Sequence, residues 1–171
     1  MPMPTVYAAL SIATLACAVD LRTRRVPNWL TFGGAAAALA FHVVSGGASG
    51  AAHSALGWAT GTALLIAPFA LGGLGAGDVK LVAALGAWLG PGDTFWLAMY
   101  TCIAGAAMAV VVAAWHGYLR QALRNLWLLL TYWRVSGLRP LPELTLSTSR
   151  GPRLAYAAPI LIGTIATLWL R

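Results

Sequence analysis

Charged side chains are scarce in this sequence. Of its 171 residues, 11 are lysine or arginine and 4 are aspartate or glutamate, so 9% are charged, against about 25% in soluble domains. Apolar residues make up 60% of the chain. A soluble domain of this size could not cover its surface with so few charges. This excludes an ordinary globular enzyme and a disordered chain, and it predicts an integral membrane protein.

Cysteine is equally rare. Cys17 and Cys102 both lie in apolar runs, and no Cys-x-x-Cys pair is present. These absences exclude a disulfide-stapled secreted domain and a zinc ribbon or dithiol redox motif. The three histidines are scattered along the chain. The sequence therefore predicts neither a metal site nor a cofactor.

The gaps between the charges predict the membrane spans. No charged side chain occurs in residues 1–19, 26–77, 81–92, 94–119 or 154–170. A serine- and glycine-rich segment, residues 45–50, divides the longest gap. At about 20 residues per span, the pattern predicts an all-α polytopic membrane protein with one domain, residues 1–171. Its six predicted helices lie near 3–20, 28–44, 53–72, 78–90, 94–116 and 154–170.

The fourth predicted helix is short. From Asp78 to Gly90 it has 13 residues, about 20 Å at 1.5 Å per residue, whereas the hydrocarbon core is about 30 Å thick. The helix must stop short of one surface, or the bilayer must thin around it. Both arrangements place Asp78 near the inner membrane boundary, at the mouth of a polar cavity.

The basic residues predict the orientation. With the N-terminus outside, ten of them fall on the inner side and Arg171 alone on the outer side. Because the ten are spread over three loops, we expect no nucleic-acid partner. Residues 1–19 are interpreted as a retained helix and not as a cleaved signal peptide, since no lysine or arginine precedes the apolar run. The ten inner residues are Arg22, Arg24, Arg25, Lys80, Arg120, Arg124, Arg134, Arg139, Arg150 and Arg153.

One long loop, about residues 117–153, begins with an amphipathic segment. Three arginines and Thr131 fall within an arc of about 80° on a helical projection, and leucines and a tryptophan supply apolar surface. Such a helix would lie in the inner interface with its arginines near anionic headgroups. Alternatively, it continues the fifth span into the cytoplasm. Pro140 and Pro142 would end it, Ser147–Ser149 would form a linker, and Glu143 would be solvated.

Two of the four acids stand where acids are rare. Asp20 ends the first predicted span and Asp78 begins the fourth, and ionisable groups at membrane depth are functional by default. If the two carboxylates converge, they share a proton, as aspartyl hydrolysis requires. Alternatively, each pairs with a basic neighbour, such as Asp20 with Arg24, and spacing alone does not decide between these. Asp93 is interpreted as an N-cap or a solvated turn residue.

Four glycines, at positions 72, 73, 75 and 77, precede Asp78. Glycine permits positive φ and close backbone approach, so the stretch indicates a break between helices that could receive an extended peptide. A flexible loop or a small-residue packing surface is the alternative. A phosphate-binding loop is disfavoured, because the spacing to Lys80 is wrong and no serine or threonine follows the lysine.

The two acidic segments resemble one known family. Gly75-Ala76-Gly77-Asp78 fits the Gly-x-Gly-Asp signature of intramembrane aspartyl proteases and, with Val79-Lys80-Leu81 following, resembles the type IV prepilin peptidase family. Residues 20–28 are similar to that family's segment in which an aspartate is followed by basic residues and a Pro-Asn pair. The resemblance covers about residues 5–115. It implies that Asp20 and Asp78 are the catalytic pair. It also implies that Gly75 and Gly77 belong to the active-site loop.

The resemblance further implies a substrate. Members of the family cut the short basic leader from prepilins or pseudopilins at the cytoplasmic face of the bacterial inner membrane, so the lipid bilayer and pilus assembly components are further expected partners. A glutamate near the start of the mature pilin is a family feature. Lys80 or Arg22 is hypothesised to receive it by charge pairing. Alternatively, both are positive-inside anchors.

Larger members of that family carry paired Cys-x-x-Cys motifs linked to N-methylation. Because this sequence lacks such motifs, we expect peptidase activity without methyl transfer, similar to the minimal peptidases of tight-adherence (Flp-type) pili. A competing hypothesis is a proton- or cation-coupled transporter or assembly component, since such proteins also place acids near broken helices. A third is a structural scaffold in which both acids are replaceable.

Two other motifs are interpreted as structural. Pro27 and Asn28 would begin the second helix, with Asn28 as its cap. Gly57 and Gly61 form a Gly-x-x-x-Gly pattern suited to close helix contact. That contact is either intramolecular or a dimer interface.

Overall fold

The computed structural model describes residues 2–137, 139 and 155–171, and all regular structure in them is helical. The predicted all-α class is therefore confirmed for these residues. The helices are α1 (Met3–Thr23), α2 (Asn28–Ala70), α3 (Ala76–Leu89), α4 (Pro91–Trp115), α5 (Leu119–Ser136) and α6 (Ala157–Leu170).

Helix α2 doubles back on itself. Its 43 residues would span about 64 Å if straight. At Gly47, however, φ is 58° and ψ is −136°, a conformation that a Cβ atom disfavours. On either side of it, the rings of His42 and His53 have centroids 5.2 Å apart. The chain therefore reverses at Gly47 and forms two adjacent arms, 28–46 and 48–70. The turn predicted at 45–50 is confirmed, and helical structure reaches closer to it than expected.

Among the residues that the structure describes, three helices are long and apolar enough to cross a membrane. These are α1, α2 and α4, and α6 is a shorter apolar helix. Together they support a membrane protein. The two arms of α2 correspond to the two helices that the sequence predicts on either side of residues 45–50.

Helix α3 forms the centre of the molecule. Every residue from Leu81 to Leu89 is buried, and both α1 and α2 pack against it. Its 14 residues agree with the short fourth helix predicted from Asp78 to Gly90. A helix surrounded by protein needs no polar face, which explains the continuous apolar run after Lys80.

Helix α3 is shorter than the helix that follows it. Gly90 is both the C-cap of α3 and the N-cap of α4, so the two helices share one end. Helix α3 extends about 21 Å from that end, and the 25 residues of α4 extend about 37 Å. Along the axis of α3, Asp78 lies about 18 Å from the shared end.

Two glycines of the second α2 arm lie directly on the α3 backbone. A Cβ atom at Gly57 would overlap the carbonyl of Gly86, and one at Gly61 would lie 2.8 Å from the carbonyl oxygen of Val82. Both glycines are buried. The Gly-x-x-x-Gly motif thus makes an intramolecular contact, one of the two possibilities that the sequence left open.

The shared end of α3 and α4 carries an ion pair. Asp93 lies in the first turn of α4, and its Oδ1 is 3.8 Å from Nε of Arg171. The expectation that Asp93 is the N-cap is wrong, whereas its carboxylate stays partly exposed. Gly90 is the N-cap, and the terminal arginine of α6 reaches the carboxylate.

Helix α5 is separate from α4. Gly117 has a φ of 74° and interrupts the helix after Trp115, so the amphipathic segment does not simply continue the fifth predicted span. Leu123, Leu126 and Trp127 are exposed on it. Pro140, Pro142, Glu143, the predicted linker 147–149, Arg150 and Arg153 lie outside the described residues.

Candidate active site

Asp20 lies in the last turn of α1 and is almost completely buried, with 7% of its surface exposed. Its Oδ2 atom accepts a hydrogen bond from the backbone N–H of Ala157, at 3.4 Å. Ala157 is the first residue of α6, so the carboxylate lies at the N-terminal end of a helix. The backbone N–H groups at such an end have no partner within the helix and can donate to a carboxylate.

The chain turns sharply after Asp20. Arg24 caps α1 in the left-handed conformation, with φ 54° and ψ 34°, and its N–H donates to the Asp20 carbonyl oxygen at 2.8 Å. A non-glycine residue in this region is uncommon. The turn sends the following residues back to the start of α2 at Asn28.

Asp78 lies in the first turn of α3. Its Oδ2 atom accepts a hydrogen bond from the N–H of Gly75 at 3.3 Å, which pairs one of the N–H groups at the helix start. A Cβ atom at Gly75 would lie 3.0 Å from the same oxygen. With a side chain there, the Asp78 carboxylate would have to shift by a few tenths of an ångström, which favours glycine at the first position of the Gly-x-Gly-Asp motif.

The second glycine of the motif brings the two acidic segments together. A Cβ atom at Gly77 would lie 3.3 Å from Cβ of Val26, in the connection between α1 and α2. This stretch therefore packs closely against α3, one residue before Asp78. The glycine-rich stretch is a break between helices as predicted, but only Gly72 has a positive φ within it.

Asp20 and Asp78 converge although 58 positions separate them. Helices α1 and α3 are in contact, and each carboxylate lies within electrostatic range of the other. Two carboxylates that approach each other closely can share one proton. Such a pair can donate a proton through one member and accept one through the other.

Lys80 and Arg22 are placed differently. The Nζ atom of Lys80 donates to Oδ1 of Asn28 at 3.1 Å and lies 5.3 Å from the centroid of the Phe32 ring. Arg22 is exposed in the last turn of α1. The expectation that Asn28 caps α2 is wrong. Pro27 is the N-cap, and the Asn28 side chain binds Lys80 instead.

Sequence reasoning missed Tyr156. This residue precedes α6 as its N-cap, its ring packs on Gly105 of α4, and it lies within electrostatic range of Asp78. An aromatic residue at the edge of an apolar run gives no such signal in the sequence. The contacts arise only when α6 packs against α1 and α4.

In the part of the chain that the structure describes, no group of three or more histidine, cysteine, aspartate or glutamate side chains is placed to hold a metal ion. The candidate site consists of two carboxylates and backbone N–H donors, and Tyr156 packs beside it on Gly105.

A sequence profile of the type IV leader peptidase family matches residues 7–110. The chain belongs to this family. The match extends over both acidic segments, so the family resemblance drawn from Asp20 and the Gly-x-Gly-Asp motif is confirmed.

Two curated relatives are described as prepilin leader peptidase/N-methyltransferase. They come from Burkholderia pseudomallei strains 1026b and K96243, and each is 48% identical over 48 residues. The matched segment is 28% of this chain and 15% of each relative. The chain therefore matches a small part of the length of these relatives. No solved structure matches the chain.

Proposed function

We propose that this protein is a membrane-embedded aspartyl endopeptidase that cleaves the short basic leader from type IV prepilins or pseudopilins. The observation that carries the proposal is the convergence of Asp20 and Asp78, two buried or half-buried acids from segments 58 residues apart. Family membership supports leader cleavage over the transporter and scaffold hypotheses, since both acids lie within the matched residues.

The proposed reaction uses the two carboxylates as one unit. The ionised member takes a proton from water, and the protonated member donates to the scissile carbonyl oxygen. Water adds to the carbonyl carbon, and the resulting tetrahedral intermediate collapses when the leaving nitrogen is protonated. The products are the leader, with a new carboxylate, and the mature pilin, with a new amine.

The glycine-rich segment would admit the substrate. Residues 71–75 connect the α2 and α3 helices without regular helix, and Gly73 is exposed. An extended leader can hydrogen-bond a non-helical backbone more readily than a helix, whose N–H and C=O groups are already paired. The direct test is cleavage of a prepilin by the purified protein in nanodiscs, followed by sequencing of the new N-terminus.

We further propose that the acids face the cytoplasm. The predicted inner cations Arg22, Arg24 and Arg25 surround the end of α1 that carries Asp20, whereas Arg171 lies at the opposite end beside Asp93. This asymmetry follows the positive-inside rule. Helix α5 would then lie in the inner interface, with its arginines near anionic headgroups and its leucines towards the acyl chains.

Cysteine labelling tests this orientation. In a Cys17→Ala, Cys102→Ala background, Ser49→Cys beside the Gly47 turn is expected to react with an impermeant maleimide in spheroplasts. Thr23→Cys, after Asp20, is expected to react only after permeabilisation. Both parent residues are exposed, so reactivity reports the side of the membrane. The opposite labelling pattern would reject the proposed orientation.

Lys80 is proposed to receive an acidic side chain of the mature pilin. Its ammonium group is held near the site by Asn28 and Phe32, and no described carboxylate forms an ion pair with it. Lys80→Gln is expected to raise KM about tenfold at unchanged kcat, because a charge-assisted hydrogen bond is lost.

The matched control for Lys80 is Arg25→Gln, which removes an exposed cation interpreted as a membrane anchor and should leave KM unchanged. A pilin whose acidic residue is replaced by glutamine should bind wild type and Lys80→Gln equally well. Unchanged cleavage kinetics of Lys80→Gln with the native pilin would refute the pairing.

A further inference from the structure

Helix α6 contacts the candidate site from outside the family match. The match ends at residue 110, yet the Ala157 N–H donates to Asp20 at 3.4 Å. Ala157 is fully buried and Asp20 nearly so. Because both residues are buried, leaving the amide N–H and the carboxylate oxygen unpaired would cost free energy. The first turn of α6 therefore restrains Asp20 directly.

Tyr156 fixes where that turn lies. Its hydroxyl oxygen is 2.8 Å, and its Cε2 atom 3.0 Å, from the position that a Cβ atom would take at Gly105. One further contact sets the register of α6 on α4, because a Cβ atom at Gly163 would overlap the side chain of Thr101. Side chains at these two glycines would therefore force α6 away from α4.

We propose that Tyr156, seated on Gly105, is a positioning residue that places the first turn of α6 so that the Ala157 amide holds Asp20 opposite Asp78. This inference rests on the proposed function, since it assigns a role in the same reaction. Tyr156 acts through its neighbour Ala157 and is not itself a catalytic residue. A structural alternative is that Asp20 serves only to cap α6, which predicts no effect on the chemical step.

Gly105→Ala tests the proposal by displacing the Tyr156 ring. Misplacement of about 1 Å in a reacting group can lower a rate about a hundredfold. We therefore expect kcat for prepilin cleavage to fall about 10- to 100-fold while KM stays within about twofold. The matched control is Gly92→Ala on the same helix, where a Cβ atom meets nothing within 4 Å and kcat should not change.

A second substitution separates positioning from simple loss of structure. Tyr156→Phe removes the atom closest to the new Cβ, so the Gly105→Ala, Tyr156→Phe double variant is expected to recover kcat at least about threefold over Gly105→Ala alone. Tyr156→Phe by itself should keep kcat within about threefold of wild type, since the ring still packs on Gly105.

Three outcomes would overturn the inference. One is wild-type kcat in Gly105→Ala, and another is a lower yield of folded protein with kcat per folded molecule unchanged. In both, the proposed function stands if wild type cleaves. The third is absence of cleavage by wild type itself, which rejects the proposed function and the inference with it.

Discussion

Asp20→Asn and Asp78→Asn are each expected to lower the rate of prepilin cleavage by about 100- to 10,000-fold, the range for loss of a general acid or base. Asparagine keeps the size of the side chain and can still accept the N–H of Ala157 or Gly75, so the fold should persist. It can neither take a proton from water nor donate one to the scissile carbonyl as a carboxylic acid does. Cleavage of a reconstituted prepilin measures the effect.

The two substitutions should not be additive. If the carboxylates act as one unit, the double variant is expected to be about as inactive as either single variant, because removing one member already disables the reaction. Asp93→Asn is the matched control. Asp93 is the third aspartate of the chain, but it lies at the opposite end beside Arg171, and its loss should leave cleavage unchanged.

The outcome also separates the competing hypotheses. A proton-coupled site would tolerate Asp→Glu with partial function, since glutamate still titrates, whereas a peptidase pair depends on carboxylate position within fractions of an ångström. A scaffold would tolerate all of these changes. Full activity in either single asparagine variant, with the protein present in the membrane, would refute the proposed catalytic pair.

The apolar helices could be predicted because a membrane constrains the sequence directly. Charges are costly in hydrocarbon, so their absence from 26–77 marks one long apolar region, and the acids that remain stand out. The turn at Gly47 was predictable for the same reason, since serine and glycine interrupt an otherwise apolar run.

Contacts between distant segments could not be predicted in the same way. Asn28 follows the local rule for a helix cap, yet its side chain binds Lys80, 52 residues further along the chain. Asp93 likewise pairs with Arg171. In both cases a tertiary partner replaces the local one. The contact between Asp20 and Ala157 spans 137 positions, and neither residue type distinguishes it from many other pairs.

Gly57→Ala is expected to lower the thermal unfolding midpoint of the reconstituted protein by about 5 °C or more. A Cβ atom at this position would overlap the Gly86 carbonyl and lie 2.9 Å from Cα of Gly90. These are backbone atoms, so a rotamer change cannot relieve the clash and the α2 and α3 helices must separate. Overpacking of this kind costs about 1–3 kcal/mol, occasionally more, and about 1 kcal/mol shifts the midpoint by 2–4 °C in a chain of this size.

The same substitution should slow cleavage, because α3 carries Asp78 and its displacement moves one carboxylate away from the other. Gly33→Ala is the matched control in the same helix. A Cβ atom there meets nothing within 4 Å, and alanine favours helix over glycine by about 0.5–1 kcal/mol. The unfolding midpoint of Gly33→Ala should therefore equal or exceed that of wild type.

Equal unfolding midpoints for the two variants, with a change in oligomeric mass for Gly57→Ala alone, would instead assign the motif to a dimer interface. If only Gly57→Ala lowers the unfolding midpoint, and the oligomeric mass does not change, then the placement of Asp78 depends on the backbone contact between Gly57 and Gly86.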